Sequence, residues 1–321
     1  MDQIRFLGEE GFLAAMEEEN KKWRKQCVTR GSLRSFDGTK LNYYIASPEN
    51  PIASVTLLHG LGEFWGKYHE YAWYLYQAGF KVFFVEHRGH GYSEGKISDP
   101  QLIHIDNYRT YVEDFLSFTE SVVVPESAGL NMMLIAHSMG GAIAALFLEQ
   151  HPQYYSRAIL SSPMLKMKIA GNSPLTALTI GLGNIFFRRS KHIAPGQKRF
   201  SPNAPFEASN SDSRPRFEYQ LRLRRKDEHY QTRAATVGWV LASIRVSRSI
   251  FRHISNIKVP VDIFTAGKDN LIDSAGYDMF KEKLPGTRIH AYNESRHELF
   301  NADEASRKRY YTEVLEVLNG K

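Results

Sequence analysis

Residues 132–141 read Met-Met-Leu-Ile-Ala-His-Ser-Met-Gly-Gly, and this stretch decides the fold. The apolar run Met132–Ile135 predicts a buried strand, and the run that begins at Gly140 predicts a helix. Ser138 stands at the tight turn between them, where the N-terminus of a helix favours developing negative charge. A serine on a strained strand–turn–helix is the pattern of a nucleophile elbow. The stretch therefore predicts a serine nucleophile at the edge of a sheet.

Short apolar strands alternate with helical stretches on both sides of this elbow. The predicted strands lie at Ser32–Ser35, Leu41–Ala46, Ser54–Leu58, Lys81–Val85, Met132–Ala136, Ala158–Ser161, Val261–Ala266 and Arg288–Tyr292. The predicted helices are Tyr68–Ala78, Asn107–Val122, Gly140–Gln150, Ser274–Lys283 and Asp303–Leu318. This alternation predicts an α/β fold, a mostly parallel central sheet with helices on both faces. We expect residues 1–321 to form a single domain.

The alternation stops after Pro163 and resumes near Val259. The intervening stretch is helical in pattern and basic, and we assign residues 163–252 as a cap or lid inserted into the domain. Active sites of open α/β sheets lie at the carboxyl ends of the strands. An insertion that leaves from such an end is therefore expected to cover the site.

A serine hydroxyl needs a base that is itself oriented by a carboxylate. In this architecture the acid and the histidine follow the serine in that order, after late strands. Asp269 follows one late strand and His297 follows the last strand. We therefore predict Ser138 as nucleophile, His297 as general base and then acid, and Asp269 as the residue that orients it. Asp273 is the competing acid, although it also fits the cap of the next helix.

The oxyanion of an acyl-transfer intermediate needs two backbone donors. One predicted donor is the N–H of Met139, which follows the nucleophile. The other is the N–H of Leu61, in the glycine-rich loop His59–Glu63 after an early strand. His87 and His90 end the next strand, but no carboxylate or thiol stands at ligand spacing beside them, so we expect no metal. A loop that braces the elbow is the favoured interpretation of that stretch.

The composition limits where the protein is expected to act. The 321 residues are 42% hydrophobic and 12% aromatic, which allows a sizeable core. The mean hydropathy is −0.40 and no apolar run approaches about 20 residues, so no transmembrane helix is expected. Cys27 is the sole cysteine and excludes an intrachain disulfide. The N-terminal stretch predicts an amphipathic helix rather than a signal peptide. The expected location is the cytoplasm.

Several motifs together resemble the α/β-hydrolase superfamily over nearly the whole chain, and within it the bacterial lysophospholipase and monoacylglycerol lipase group. The segments that carry this resemblance are His59–Glu63, His87–Ser93, Ala136–Gly141, Ala266–Asp269 and His297, with a looser match over Arg222–Ile244. Ala136 stands where Gly is usual, and Glu86 stands where Asp is usual. The resemblance implies hydrolysis of a carboxylic ester in a lipid with one acyl chain, without a cofactor. A lysophospholipase is the leading expectation; a monoacylglycerol lipase or a general carboxylesterase is the alternative.

The charge is concentrated in the predicted cap. Residues 188–252 hold 15 Lys and Arg against 5 Asp and Glu, a net of +10, whereas the whole chain carries +6. Beside the apolar stretch Leu175–Phe187, this charge suits contact with an anionic membrane, at the cytoplasmic face of the inner membrane. It also suits a lysophospholipid phosphate. An ordinary buried lid helix and a merely solvated basic face are the alternatives. No nucleic-acid motif accompanies the charge, so no nucleic-acid partner is expected.

Two rival functions remain from the same residues. An aminopeptidase-type acyl hydrolase would need carboxylates to hold a substrate amine, and the basic insertion disfavours a cationic substrate. A non-catalytic lipid-binding protein would be expected to lack members of the triad, whereas Ser138, Asp269 and His297 are all present.

Overall fold

The structure is a computed structural model that describes residues 4–168 and 190–320. Its strands are β1 (Val28–Arg34), β2 (Lys40–Ala46), β3 (Ala53–Leu58), β4 (Phe80–Val85), β5 (Leu102–Ile103), β6 (Met132–His137), β7 (Arg157–Ser161), β8 (Ala234–Ala235), β9 (Val261–Ala266) and β10 (Arg288–Tyr292). In the described ranges, eight of them form one sheet in the order β1-β2-β4-β3-β6-β7-β9-β10. β2 pairs antiparallel with β1 and with β4, and the other pairs of this sheet are parallel. β5 and β8 form a separate parallel pair.

The helices pack on both faces of this sheet. They are α1 (Phe12–Glu17), α2 (Glu19–Cys27), α3 (His69–Gln77), α4 (Arg109–Phe118), α5 (Val124–Glu126), α6 (Met139–Gln150), α7 (Arg214–Lys226), α8 (Val237–His253), α9 (Ala275–Lys283) and α10 (Glu304–Leu318). A π-helical turn, Thr119–Val123, joins α4 to α5. The bounds agree with the predicted strands and helices to within a few residues, and the predicted α/β fold is confirmed.

Each face of the sheet has its own hydrophobic core. Leu134 of β6 packs in the cluster that includes side chains of α4, α6, α8 and α9. Its neighbour Ile135 packs in the opposite cluster, with α1, α2, α3 and α10. Every residue of β3 and β4 is buried. A strand covered on both sides has no solvent face, which is why these strands read as continuous apolar runs.

The described part of the insertion divides into two regions. Side chains between Gly196 and Arg233, several of them on α7, line the cavity described below. α8 instead buries Val246 and Ile250 in the core that α6 shares. The predicted apolar helix Leu175–Phe187, and the basic pair at 188 and 189, lie outside the described residues. Within the described ranges, no helix has the length and apolar character needed to cross a bilayer.

Candidate active site

The turn after β6 holds Ser138 in a conformation that side chains rarely adopt. Its φ is 53° and its ψ is −116°, between the end of β6 and the first turn of α6. The backbone N–H of Ser138 donates to Ser161 O at 3.0 Å, and Met164 N–H donates to Ser138 O at 2.9 Å. Such conformations cost on the order of 1–3 kcal/mol and persist only where surrounding structure imposes them. Here β7 and the residues after it fix the turn.

Glycines after the serine allow α6 to approach the sheet. A Cβ on Gly140 would lie 2.5 Å from Leu58 O, and one on Gly141 would lie 2.5 Å from Pro163 Cβ. Both distances are far below contact, so neither position accepts a side chain without a backbone shift. Ala136, which replaces the usual glycine before the turn, is fully buried in the core. The packing behind the elbow therefore accommodates its methyl group.

Two of the predicted site residues form a buried hydrogen-bonded pair. His297 Nδ1 donates to Asp269 Oδ2 at 2.6 Å, and both side chains are about 95% buried. Asp269 Oδ1 accepts from the N–H groups of Leu271 at 2.8 Å and Ile272 at 3.1 Å. Burial alone would raise the pKa of Asp269, but the hydrogen bonds from His297 and from these N–H groups hold it below its usual value. The carboxylate thus stays ionised and fixes the imidazole through Nδ1.

Ser138 and His297 line the same cavity. In the described part of the chain, the Ser138 hydroxyl has no hydrogen-bond partner, so the contact between nucleophile and base is not formed in this structure. Such contacts often tighten only when substrate binds. Asp273, the competing acid, is engaged elsewhere: it forms a 2.7 Å ion pair with Lys166 and accepts from Ala275 N–H at 3.1 Å. The structure therefore places Asp269, and not Asp273, against His297.

Ser162, the residue directly after β7, contacts the backbone of His297 and could not be predicted from the sequence. Its φ is 43°, one of two positive values among the non-glycine residues described. Its hydroxyl donates to His297 O at 2.8 Å, and its N–H donates to Phe264 O at 2.8 Å. A Ser-Ser-Pro sequence after a strand gives little sign of this role, because the partner lies 135 residues away.

The loop after β3 carries the second predicted oxyanion donor. The carboxylate of Glu63 accepts from Gly60 N–H at 2.6 Å and from the Tyr68 hydroxyl at 2.6 Å. Across residues 4–168 and 190–320, the N–H groups of Leu61 and Met139 have no acceptor. Glu63 therefore holds this loop in place while leaving the Leu61 N–H unused.

A buried lysine connects this loop to the loop that carries His297. Lys67 Nζ lies 2.5 Å from Glu63 Oε1 and 2.6 Å from Glu298 Oε1, and its side chain is only 6% exposed. Burial opposes the charge of Lys67, but the two carboxylates raise its pKa above the usual value. Burial likewise opposes the charge of Glu63, and Lys67 together with His137 lowers its pKa. Lys67, Glu63 and Glu298 thus form one cluster of ion pairs at the wall of the cavity.

The histidines after β3 and β4 are packed against one another. The His87 N–H donates to His59 Nε2 at 3.0 Å, and the His59 and His90 ring centroids are 4.9 Å apart. Burial lowers the pKa of His59 to about 4 and that of His90 to about 3. No group of metal-ligating side chains occurs in the described ranges. The neutral rings fill the space beneath the loop that carries Leu61.

A cavity of about 410 Å³ opens above Ser138 and His297. This volume falls within the roughly 300–1,000 Å³ typical of small-molecule sites. The apolar side chains on its wall are Leu61, Phe200, Ala204, Pro205, Ala208, Phe217, Leu221 and Leu271. The cations on its wall are Lys67, Lys198, Arg224 and Arg233. Most of these residues belong to the insertion, which thus supplies much of the cavity wall.

Many basic residues of the insertion are paired with acids rather than free. Arg216 is fully buried and bonds to Glu70 at 2.6 Å and to Glu9 at 3.0 Å. Arg214, Arg222 and Arg199 pair with Glu207, Glu17 and Asp99, respectively. The concentration of basic residues in the sequence therefore overstates the positive charge at the surface.

The fold and this site define a serine hydrolase of the α/β type. The chain belongs to the serine aminopeptidase S33 family, whose model matches residues 49–304. Among its relatives is lysophospholipase L2 of Escherichia coli strain K12, which is 30% identical over 71% of this chain and 67% of that protein. The monoacylglycerol lipase of Mycolicibacterium smegmatis is 26% identical over 85% of this chain and 91% of its own length.

Solved structures share the fold. A soluble variant of monoglyceride lipase from Saccharomyces cerevisiae matches with a TM-score of 0.72 and 18% identity, over 92% of this chain and 96% of that one. A thermostable carboxyl esterase from Bacillus coagulans matches with a TM-score of 0.71 and 18% identity, over 92% of this chain and 99% of that one. At this level of identity the likeness extends to the fold alone.

Proposed function

We propose that this protein hydrolyses the carboxylic ester of lipids with a single acyl chain, through an acyl-enzyme on Ser138. The observation that carries the proposal is the buried His297–Asp269 pair, 2.6 Å between Nδ1 and Oδ2, beside a serine on a strained turn. His297 Nε2 accepts the hydroxyl proton as Ser138 Oγ attacks the ester carbon. The alcohol then leaves with that proton, and a water molecule repeats the cycle to release the fatty acid.

The Leu61 and Met139 N–H groups are the proposed oxyanion hole. Met139 is the first residue of α6, so its N–H lies at the positive end of the helix dipole. Leu61 lines the cavity, and Glu63 occupies the adjacent Gly60 N–H. Preorganised donors of this kind are worth roughly 10²–10³ in turnover each.

A lysophospholipid is the substrate that we favour. Two lysophospholipase L2 relatives and a monoacylglycerol lipase cover most of this chain, which supports a lipid with one acyl chain. The apolar part of the cavity wall, including Phe200, Phe217 and Leu221, suits an acyl chain. Monoacylglycerol hydrolysis and general carboxylesterase activity are the alternatives within the same chemistry.

An aminopeptidase activity is disfavoured by the charges in the cavity. Its two carboxylates among the described lining residues, Glu63 and Glu298, are both already bonded to Lys67. A substrate amine would have to displace that lysine, and it would also meet Arg224 and Arg233. A cationic substrate is therefore poorly matched to this wall.

We propose further that residues 163–252 act as a cap over the site and contact an anionic membrane. Arg245, Arg248 and Arg252 follow helical spacing on an exposed face of α8, and none has a carboxylate partner in the described ranges. Each such cation near an anionic surface is worth about 1 kcal/mol. The amount of protein that sediments with phosphatidylglycerol vesicles should therefore fall when all three arginines are changed to Gln. It should also fall at high salt. Equal binding of both proteins to neutral and anionic vesicles would contradict the contact.

The enzymatic proposal is tested by comparing substrates with one acyl chain. Purified protein and Ser138→Ala are assayed with lysophosphatidylethanolamine, lysophosphatidylcholine and monoacylglycerol that share one fatty acid. We expect fatty acid release from the lysophospholipids that falls by more than 10⁴-fold in Ser138→Ala, in line with the loss of a triad member. Hydrolysis of an aminoacyl amide, with no hydrolysis of any of the lipid esters, would favour the aminopeptidase alternative instead.

A further inference from the structure

Two arginines stand at the cavity without a carboxylate partner. Lys67 is matched by Glu63 and Glu298, whereas Arg224 and Arg233 have no ion pair among the described residues. Arg216 and Arg222, on the same helix as Arg224, are both paired with acids. Arg224 and Arg233 are the arginines on the cavity wall, and neither guanidinium group is matched by a carboxylate in the described part of the chain.

Contacts with backbone carbonyls hold Arg224 at this position. Its guanidinium donates to Gly62 O and, at 3.2 Å, to Thr232 O. It also lies 4.8 Å from the centre of the Phe64 ring, a cation–π arrangement. A guanidinium has five N–H donors, so further donors remain after these two bonds. The side chain is thus oriented before any ligand binds.

Arg233 lies against the same loop. A Cβ built on Gly62 would be 3.3 Å from Arg233 Cα, so the backbones of the two segments are in contact. Gly62 follows Leu61, the proposed oxyanion donor, and its left-handed φ of 67° suits a residue without a side chain. Both arginines therefore border the loop that would hold the reacting carbonyl.

The positive charge at this place is energetically unfavourable without an anion. Burial and the charge of Arg233 lower the pKa of Arg224 to about 10, so the group still carries its charge at neutral pH. Glu63 and Glu298 attract Arg224 and oppose this shift, but the four cations of the cavity wall still outnumber its two carboxylates. An anionic ligand would relieve the remaining positive potential. Planar guanidinium groups match phosphate oxygens with paired hydrogen bonds.

We propose that Arg224 and Arg233 form a subsite for the phosphate of a lysophospholipid headgroup, with Lys198 at its margin. This inference rests on the proposed ester hydrolysis and adds the feature that selects the substrate. The acyl carbonyl would meet Ser138 and the Leu61 loop, and the glycerol phosphate would extend toward Gly62 and the two arginines. A monoacylglycerol has no phosphate and would gain nothing from them.

The selectivity of hydrolysis provides the first test. Arg233→Gln removes an exposed side chain that has no described partner, so the fold should be preserved. We expect kcat/KM for lysophosphatidylglycerol to fall roughly 10- to 100-fold, the value of hydrogen bonds to a charged group, and kcat/KM for the matching monoacylglycerol to change less than about twofold. Lys226→Gln, at the exposed end of the same helix as Arg224, is the matched control and should change neither. Equal losses on both lipids, or no loss on either, would overturn the subsite.

Binding without turnover separates this proposal from the enzymatic one. Glycerol 3-phosphate is titrated calorimetrically into Ser138→Ala and into Ser138→Ala/Arg233→Gln, with glycerol as the uncharged probe. We expect binding of the phosphate to the first protein only, and no binding of glycerol. Binding to Ser138→Ala that depends on Arg233, together with no lipid hydrolysis by the protein with Ser138 intact, would retain the subsite and reject the proposed function. Absence of binding to Ser138→Ala, or equal binding to both proteins, would reject the subsite.

Discussion

The ammonium group of Lys67 lies 2.6 Å from the carboxylate of Glu298, the residue directly after His297. The same ammonium bonds to Glu63, whose carboxylate holds the Gly60 N–H at 2.6 Å. One buried cation thus ties the loop of the proposed oxyanion donor to the loop of the proposed base. Two parts of the site that are more than 230 residues apart in sequence are fixed relative to each other by this ion pair network.

Removing the lysine should destabilise the protein strongly. Lys67→Met removes the cation shared by two buried carboxylates, and breaking a buried ion pair in this way typically costs about 3–5 kcal/mol in the free energy of unfolding. Urea denaturation at pH 8 measures the change. Lys21→Met is the matched control, because Lys21 forms an exposed pair with Glu17 that should contribute less than about 1 kcal/mol. Equal midpoints for Lys67→Met and the parent would show that the cluster carries no such energy.

The two candidate acids should differ sharply in their effect on turnover. Asp269→Asn removes the charge that orients and stabilises His297, and a comparable change in a serine protease costs about 10⁴ in kcat. Asp273→Asn disturbs only the Lys166 pair and the start of α9, so we expect kcat to fall less than about threefold. Initial rates of ester hydrolysis by the two purified variants decide between them. The assignment is wrong if Asp273→Asn is the crippling change.

The close approach of α6 to β3 should make Gly140 intolerant of a methyl group. In Gly140→Ala the new Cβ would start 2.5 Å from Leu58 O, so the helix must move and carry the Met139 N–H with it. We expect a loss of about 1–3 kcal/mol in stability and at least a tenfold fall in kcat. Gly286→Ala, where no atom lies within 4 Å of the new Cβ, should change neither by a measurable amount. Full activity of Gly140→Ala would contradict the role of this contact.

Glu149 on α6 should make stability depend on pH. Burial raises the pKa of its carboxyl from 4.5 to about 8, and its Oε1 has no described hydrogen-bond partner. The folded protein therefore keeps a proton that the unfolded chain releases, and stability falls as pH rises from about 4.5 to about 8. Glu149→Gln removes this dependence. The free energy of unfolding of the variant, relative to that of the parent, should therefore rise by on the order of 1–2 kcal/mol between pH 5 and pH 9. Thermal unfolding at the two pH values measures it; a constant difference would refute the prediction.

Much of the fold and the main site residues could be predicted because the signals are local. Strands such as β3 and β4 are apolar throughout, and a residue that follows a strand must lie at the carboxyl edge of a parallel sheet. Ser138, Asp269 and His297 each follow a strand, and the pairing of the last two at 2.6 Å agrees with that argument. The sequence does not decide between Asp269 and Asp273, because both follow the same strand within a few residues.

The ionic contacts of the site could not be predicted, because their partners are distant in sequence. Glu63 and Lys67 are four residues apart, but nothing local indicates that Glu298 completes the cluster. Arg216 belongs to a basic run that suggests a solvated face, yet it is buried against Glu9 and Glu70. Charge counts alone cannot separate such a structural cation from Arg233, which is exposed and has no described partner.

Covalent labelling of Ser138 tests the central claim most directly. The protein is treated with an alkyl fluorophosphonate, which reacts with activated serine nucleophiles, and the modified residue is located by peptide mass spectrometry. We expect one adduct per chain, on Ser138, that is absent in Ser138→Ala and forms much more slowly in His297→Ala. Labelling of another residue, or hydrolysis by Ser138→Ala at the parental rate, would contradict it.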